Sequence, residues 1–122
     1  MAFYGFPDGA CRHTLNLASA TWVLYSLAED LVSSRAVCIG TTTNNIAEYR
    51  AVIGLLTEAA SQDVHNLVVL MHSQLVVCHI NHVYTIRNLV LLRLFWRVCL
   101  LERSFETITY RHIRREHNVV AD

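Results

Sequence analysis

The pattern of hydrophobic and polar residues changes once along the chain, from a strand-like to a helix-like period. The segments 2–6, 21–26 and 34–40 are rich in aromatic and β-branched residues, which predicts three consecutive strands. From residue 41 to residue 62, apolar side chains recur at steps of three and four. That spacing predicts an amphipathic helix with one buried face.

The second half of the chain predicts two more strands and two more helices. Residues 67–71 form an apolar run typical of a buried strand, and 105–113 alternates like a strand. Helical patterns cover 73–82 and 88–104. Three sequential strands favour an antiparallel meander, whereas a strand–helix–strand order favours a parallel crossover. We therefore expect one α/β domain over 1–122, with helices packed on a mixed five-stranded sheet.

The composition narrows the classes of partner. Hydrophobic residues make up 53% of the 122 residues, and ten acidic residues balance ten basic ones, all of them arginine. This balance gives no overall field that would attract nucleic acid, but a local arginine patch can still bind phosphate. The longest apolar stretch, 88–101, contains Arg93 and Arg97, so we expect no membrane span.

The four cysteines are widely spaced and form no C-x-x-C pair. They are Cys11, Cys38, Cys78 and Cys99, and each has apolar neighbours. This arrangement predicts buried, reduced thiols. Since no secretory signal pattern opens the chain, we expect an intracellular, reducing compartment, with cytoplasm and nucleus equally compatible.

Three polar side chains stand where chemistry is often placed. His72 ends the apolar run 67–71, and the tip of a buried strand is where α/β proteins commonly carry ligands. Asp8 lies in Pro-Asp-Gly, which is also a good turn sequence. Glu48 follows Asn45 with the spacing of a capping box at a helix start.

Four motifs together resemble the ribonuclease H family, type 1, and particularly the short domains of plants and retroelements. They are "FPDGA" (6–10), "TTNNIAEYRAVIGLL" (42–56), "SQLVV" (73–77) and "YRHIRREHNVVAD" (110–122). The resemblance spans nearly the whole chain in the family's order. It implies metal-dependent endonucleolytic hydrolysis of the RNA strand in RNA–DNA hybrids.

The resemblance also implies roles for individual residues. The family holds two Mg²⁺ ions with four acidic residues, and Asp8, Glu48 and Asp122 match three of those positions as metal ligands. His72 stands at the remaining position, and His112 matches a histidine that moves protons. Mg²⁺ is therefore the expected cofactor, with Mn²⁺ as the alternative. A turn, a helix cap and a solvated strand end remain the plain structural interpretations of Asp8, Glu48 and His112.

Substrate contacts are implied in the same way. The family tracks the sugars of the RNA strand with the loop before its first helix, which supports recognition through 2′-hydroxyls. The matching or neighbouring positions here are Thr43, Asn44, Asn45, Gln74 and Asn118. Arg87, Arg93 and Arg97 line a phosphate path or simply form a solvated helix face.

Four departures from the family pattern predict impaired hydrolysis. His72 replaces a carboxylate, Pro7 lies in a central strand, and the loop 11–21 lacks glycine and proline. The sequence also stops at Asp122, before the family's last helix, which would leave an apolar sheet face uncovered. The alternative function is therefore a non-catalytic module on a degenerate scaffold. Such a module binds nucleic acid, or it binds a protein partner or a second copy through that face.

Overall fold

The computed structural model describes residues 2–12, 17–40, 42–82 and 85–114, and its elements follow the predicted order. The strands are β1 (Phe3–Arg12), β2 (Leu17–Tyr25), β3 (Leu31–Gly40), β4 (Asn66–Met71) and β5 (Thr107–His112). The helices are α1 (Asn44–Ser61), α2 (Gln74–Ile80) and α3 (Leu89–Glu102). The predicted α/β class is confirmed.

The five strands form one mixed sheet in the order β3-β2-β1-β4-β5. β1 pairs with β2 and β2 with β3 in antiparallel orientation, which is the predicted meander. β4 pairs with both β1 and β5 in parallel orientation, through crossovers that contain helices. β1 is therefore the central strand, and the carboxyl ends of β1, β4 and β5 meet at one edge of the sheet.

Each helix begins directly after a side chain that caps it. The hydroxyls of Thr43 and Ser73 accept bonds from Ile46 N–H and Val76 N–H, and the Asn88 amide oxygen caps α3. Such caps satisfy backbone donors that have no partner inside the helix. The predicted capping box of Asn45 and Glu48 is therefore wrong, because α1 starts two residues earlier and Glu48 bonds elsewhere.

The core lies between α1 and one face of the sheet. Tyr49, Val52, Leu55 and Leu56 of α1 are fully buried there. Burying one such aliphatic side chain contributes roughly 1.5–3 kcal/mol to folding. The helix can approach closely because Gly5 of β1 has no side chain. A Cβ added there would lie 2.5 Å from the Leu55 side chain.

The other face of the sheet carries aromatic residues. Tyr4 and Phe6 alternate with Gly5, so they point away from α1, and the rings of Phe6 and Tyr25 meet edge to face at 5.9 Å. These residues help to line a cavity of about 530 Å³. The binding of a protein partner or a second copy on this face stays a prediction. Residues 115–122, which precede the predicted gap in the cover of the sheet, lie outside the described residues.

Pro7 is accommodated inside the central strand. It pairs with Trp22 of β2, whereas the pairing of β1 with β4 ends at Gly5 and Val69, two residues before it. A proline has no N–H to donate, so a long ladder on both sides of Pro7 would be disfavoured. The ends of β1 and β4 are consequently unpaired with each other, and this is where the candidate site lies.

Two further expectations are corrected by the structure. The predicted loop 11–21 is mostly strand, because β1 runs to Arg12 and β2 begins at Leu17. Among the described cysteines, Cys38 is exposed, and Cys78 and Cys99 are partly exposed, so the predicted burial is wrong. All three are free thiols. Among the described residues, no helix is long and apolar enough to cross a membrane.

Candidate functional site

The first turn of α1 is tied to the end of β1 by one hydrogen bond. Gly9 N–H donates to Glu48 Oε1 at 3.0 Å. The Gly9 N–H is available for this bond because the pairing of β1 with β4 stops at Gly5. Beyond Gly5, the edge of β1 has no strand partner on that side. The Glu48 side chain is therefore held at the carboxyl end of the central strand.

Gly9 is needed for this close approach. A Cβ at that position would lie 2.3 Å from both Ala47 C and Glu48 N, which are backbone atoms and cannot move aside easily. Glycine is the residue that allows two backbones to come this near. It thus brings the α1 start, with Glu48, against the strand that carries Asp8.

Asp8 and His72 belong to neighbouring parts of the sheet. The parallel pairing of β1 with β4 runs from Phe3 and Leu67 to Gly5 and Val69. Asp8 lies three residues beyond that pairing in β1, and His72 directly follows the last residue of β4. Asp8 is 8% exposed and Glu48 6% exposed, so both carboxyl groups sit in largely dehydrated positions.

A cleft of about 310 Å³ opens at this edge of the sheet. It is lined by Gly9, Ala10, Asn44, Asn45, Glu48, His72 and Ser73. The strand ends supply the floor, the first turn of α1 supplies one wall, and the start of α2 supplies another. The cleft therefore gathers side-chain amides, a carboxylate and an imidazole at the end of the central strand.

The predicted site residues divide into three groups. Glu48, His72, Asn44 and Asn45 line the cleft, and Asp8 is buried in β1 directly before the cleft residue Gly9. Thr43, Gln74 and His112 are exposed and do not line it. Asp122 and Asn118 lie outside the described residues.

His112 nevertheless ends the neighbouring strand at the same edge. It pairs in register with Met71, and Ile113 N–H donates to the Met71 carbonyl at 2.9 Å. His72 follows Met71 immediately, so the two histidines stand on adjacent chain segments. The exposed position of His112 leaves its ring accessible to solvent.

Three residues of the cleft were missed by the sequence reasoning. Gly9, Ala10 and Ser73 contribute backbone and a capping hydroxyl rather than charged groups. The Asp-Gly dipeptide carried the signal for Gly9, because glycine inside a strand often marks a close backbone approach. Ser73 was included in the predicted helix 73–82, and it reaches the cleft because it follows His72 at the end of β4.

The donor atoms of the site suit a hard divalent cation in part. Asp8 and Glu48 offer carboxylate oxygens, which Mg²⁺ prefers, whereas His72 offers a nitrogen. Among the described residues, no group of three His, Cys, Asp or Glu side chains is close enough to hold a metal ion. By ligand chemistry alone, the two carboxylates are the type that Mg²⁺ prefers and the imidazole is not.

A buried polar contact lies behind the cleft. The Tyr49 hydroxyl and His79 Nδ1 are 3.1 Å apart, and their rings stack with centroids 6.2 Å apart. Burial raises the pKa of Tyr49 and lowers the pKa of His79, because both charged forms lose hydration. This contact joins α1 to α2. Tyr49 is next to Glu48 in α1, and Ser73, which caps α2, follows His72.

Comparison with known sequences gives one consistent result. The model of a family described as reverse transcriptase-like matches residues 6–122. A Ribonuclease HI of Halobacterium salinarum is 31% identical over 98% of this chain and 60% of its own length. A bifunctional protein of Mycobacterium tuberculosis is 36% identical over 94% of this chain. The chain spans about a third of that mycobacterial protein, with 32% covered.

Solved structures agree with the sequence comparison. The crystal structure of RNase H1 from Halobacterium salinarum matches all of this chain and 92% of its own, with a TM-score of 0.95 and 30% identity. The N-terminal RNase H domain of the Mycobacterium tuberculosis protein matches with a TM-score of 0.95 and 28% identity, over 100% of this chain and 94% of its own. The crystal structure of LC11-RNase H1 in complex with RNA/DNA hybrid matches with a TM-score of 0.90 and 27% identity, over 98% of this chain and 91% of its own.

Proposed function

The chain belongs to the ribonuclease H family, and from this premise we propose that its cleft binds RNA–DNA hybrids and hydrolyses the RNA strand with a divalent metal, at a reduced rate. The observation that carries the proposal is the placement of Glu48. Its carboxylate is anchored on Gly9 N–H, beside the strand that carries Asp8, in a cleft lined by polar side chains.

The asparagines of the cleft supply the recognition. Asn44 is exposed and Asn45 is partly exposed, and both lie in the first turn of α1 beside Glu48. An amide both donates and accepts hydrogen bonds, so it can pair with a sugar 2′-hydroxyl, which does the same. The 2′-hydroxyl distinguishes an RNA strand from a DNA strand at a given position. The substrate strand in the cleft would therefore be RNA.

Asp8 and Glu48 would hold the metal, together with Asp122 from the end of the chain. When bound, the cation supplies electrostatic stabilisation of the charge that develops on the phosphate. The protein's own contribution is to keep the carboxylates in place. For Glu48 this is done by the hydrogen bond that Gly9 N–H donates to its Oε1 at 3.0 Å.

His72 is the reason to expect a reduced rate. It replaces a negatively charged oxygen ligand with a nitrogen ligand that is neutral when it binds metal. The site then holds one negative charge fewer, which weakens its hold on Mg²⁺ most, since Mg²⁺ prefers oxygen. We expect Mn²⁺ to support more activity than Mg²⁺, because Mn²⁺ accepts imidazole more readily.

His112 would carry protons between the cleft and solvent. It ends β5 at the same edge as His72 and is exposed, so its ring can exchange protons with water. Histidine suits this task because its ordinary pKa lies near neutrality. The proposed role is proton transfer and not metal binding, since His112 does not line the cleft.

The second candidate is binding of the hybrid without cleavage. The specific observation that favours it is again His72, because a site with two carboxylates and an imidazole can hold a nucleic acid and still fail to complete the metal centre. The two functions share the asparagines and the cleft. They differ only in whether the RNA strand is cut.

Cleavage of an end-labelled RNA–DNA hybrid by the parent and by Glu48→Gln tests the proposal. The amide keeps an oxygen for Gly9 N–H and removes the charge, so we expect hybrid affinity to persist and cleavage to fall at least about a hundredfold. Double-stranded DNA of the same sequence serves as the control substrate and should stay intact. Equal cleavage by parent and variant would contradict the proposal.

A further inference from the structure

Helix α3 is apolar around its whole circumference, although only one side of it is buried. Its 14 residues, LVLLRLFWRVCLLE, include only three charged side chains. Leu91, Leu94 and Val98 follow one another at steps of three and four and are buried in the core. A helix that is hydrophobic all round is normally buried on all sides. In the described part of the protein, the outward side of α3 therefore lacks the cover that its composition predicts.

The outward side of α3 carries a second row of large side chains. Leu89, Trp96 and Leu100 are 70%, 56% and 60% exposed. Arg93 stands between them, so the row advances by four, three and four residues and stays on one face of the helix. We call these four residues the outer seam, and none of them lines the cleft around Glu48. Such spacing is typical of a helix that packs along a second helix.

The charge at the outer seam is positive. Arg93 belongs to the seam and Arg97 follows one turn later, and both are exposed. Within the described residues, neither of them takes part in an ion pair. Glu102 lies on the other side of α3, four residues after the buried Val98, where burial and the Glu102 carboxylate raise the pKa of Tyr110. The outward side of α3 thus combines apolar side chains with unpaired positive charge.

A partner for this side must match the arginine as well as the apolar side chains. A lipid interior that took up Leu89 and Trp96 would also have to take up the charge of Arg93, which is costly. A second copy of α3 would bring Arg93 and Arg97 near the same two arginines, and like charges repel at such contacts. A carboxylate, in contrast, accepts two parallel hydrogen bonds from one guanidinium group. The charge therefore favours an acidic protein segment.

We propose that the outer seam binds an amphipathic helix of a partner protein, whose apolar side chains recur at heptad spacing and are flanked by Asp or Glu. From Leu89 to Leu100 the seam is about 17 Å long, which matches about three turns of a partner helix. Tryptophan and arginine are the side chains that most often dominate binding energy at protein interfaces, so Trp96 and Arg93 are the expected anchors. The partner would dock outside the cleft and leave it open.

A synthetic peptide tests the spacing and the charge together. The probe is a helix of about 21 residues with leucine at heptad positions a and d and glutamate at e and g, and its control carries lysine in place of glutamate. Fluorescence anisotropy of the labelled peptides measures binding to the full chain. A single helix face is a small interface, so we expect a Kd on the order of 10 μM for the glutamate peptide. The lysine peptide should bind at least about tenfold more weakly.

Arg93→Glu reverses the charge of the seam. It should weaken binding of the glutamate peptide at least about tenfold and strengthen binding of the lysine peptide. Arg111→Glu makes the same change at an exposed position of β5 and should match the parent. No binding of either peptide by the parent, or equal binding of both, overturns the proposal.

Two exposed leucines give a matched test of the apolar part. Leu100 of α3 and Leu31 of β3 are 60% and 59% exposed. Leu100→Ala should weaken binding of the glutamate peptide about fivefold and Trp96→Ala at least about tenfold, whereas Leu31→Ala should match the parent. All three should keep the parental melting temperature, since these side chains are exposed. Equal affinity of the parent and Trp96→Ala overturns the proposal.

Two measurements on the parent and Trp96→Ala distinguish the other occupants. Analytical ultracentrifugation at the highest concentration of the peptide titration should find both proteins monomeric. A parental dimer that Trp96→Ala disperses would assign the seam to a second copy and overturn the proposal. Vesicles that contain phosphatidylserine should bind neither protein. Binding of the parent but not of Trp96→Ala would assign the seam to a membrane surface and overturn the proposal as well.

Discussion

The backbone N–H of Gly9 donates to the Glu48 carboxylate at 3.0 Å, and this bond joins the central strand to the first turn of α1. Thirty-nine residues separate the two partners in the sequence. The bond depends on the missing β1–β4 pairing beyond Gly5 and on the absence of a side chain at position 9. The same hydrogen bond therefore fixes the start of α1 on the sheet and positions the carboxylate that is proposed to bind metal.

Gly9→Ala tests the close approach of strand and helix. Its Cβ would meet the backbone of Ala47 and Glu48 at 2.3 Å, so the start of α1 must shift. We expect a loss of roughly 1–3 kcal/mol in the free energy of unfolding, measured by urea denaturation, together with loss of cleavage. A Gly9→Ala protein as stable as the parent would contradict the account.

Two substitutions of Glu48 separate its structural role from its chemical role. Glu48→Gln keeps an acceptor for Gly9 N–H, so we expect nearly parental stability and lost cleavage. Glu48→Ala removes the acceptor too and leaves a part-buried donor unpaired, at a cost of about 1–3 kcal/mol. Thermal denaturation followed by circular dichroism gives the comparison. Equal stability of the two variants would show that the bond to Gly9 contributes little.

The buried Tyr49–His79 contact predicts a dependence of stability on pH. Burial lowers the pKa of His79, so the unfolded chain binds a proton more readily than the folded chain does. The free energy of unfolding should then be highest above the unfolded pKa of about 6.5 and decrease as the pH falls below it.

Thermal melts between about pH 7.5 and about pH 5 check this dependence. His79→Gln should lose less stability across that range than the parent loses. His65→Gln changes an exposed histidine directly before β4 and serves as the control, with a profile parallel to that of the parent. Parallel profiles for all three proteins would exclude His79 as the source of the pH dependence.

The fold was largely predictable because its elements have clear periods. The change from period two to a helical period between β3 and α1 set the order of elements, and the apolar run ending at Met71 marked a buried strand. The boundaries of β1 and β2 were less predictable. Strand pairing with a neighbour, and not local composition, extends β1 to Arg12 and starts β2 at Leu17.

The site was predictable where a charged side chain marks it and less so elsewhere. Glu48 and His72 were identified and do line the cleft. The capping box of Asn45 and Glu48 was wrong because Glu48 bonds to a residue far away in sequence, which no local pattern can reveal.

Cleavage of a labelled RNA–DNA hybrid by the parent and by His72→Asp, with Mg²⁺ and with Mn²⁺, tests the central claim most directly. The account predicts weak cleavage by the parent, a higher rate with Mn²⁺ than with Mg²⁺, and strong Mg²⁺-dependent cleavage once an aspartate stands at position 72. No gain in the His72→Asp protein, when it folds and binds hybrid as the parent does, would contradict the claim that His72 limits a ribonuclease H site.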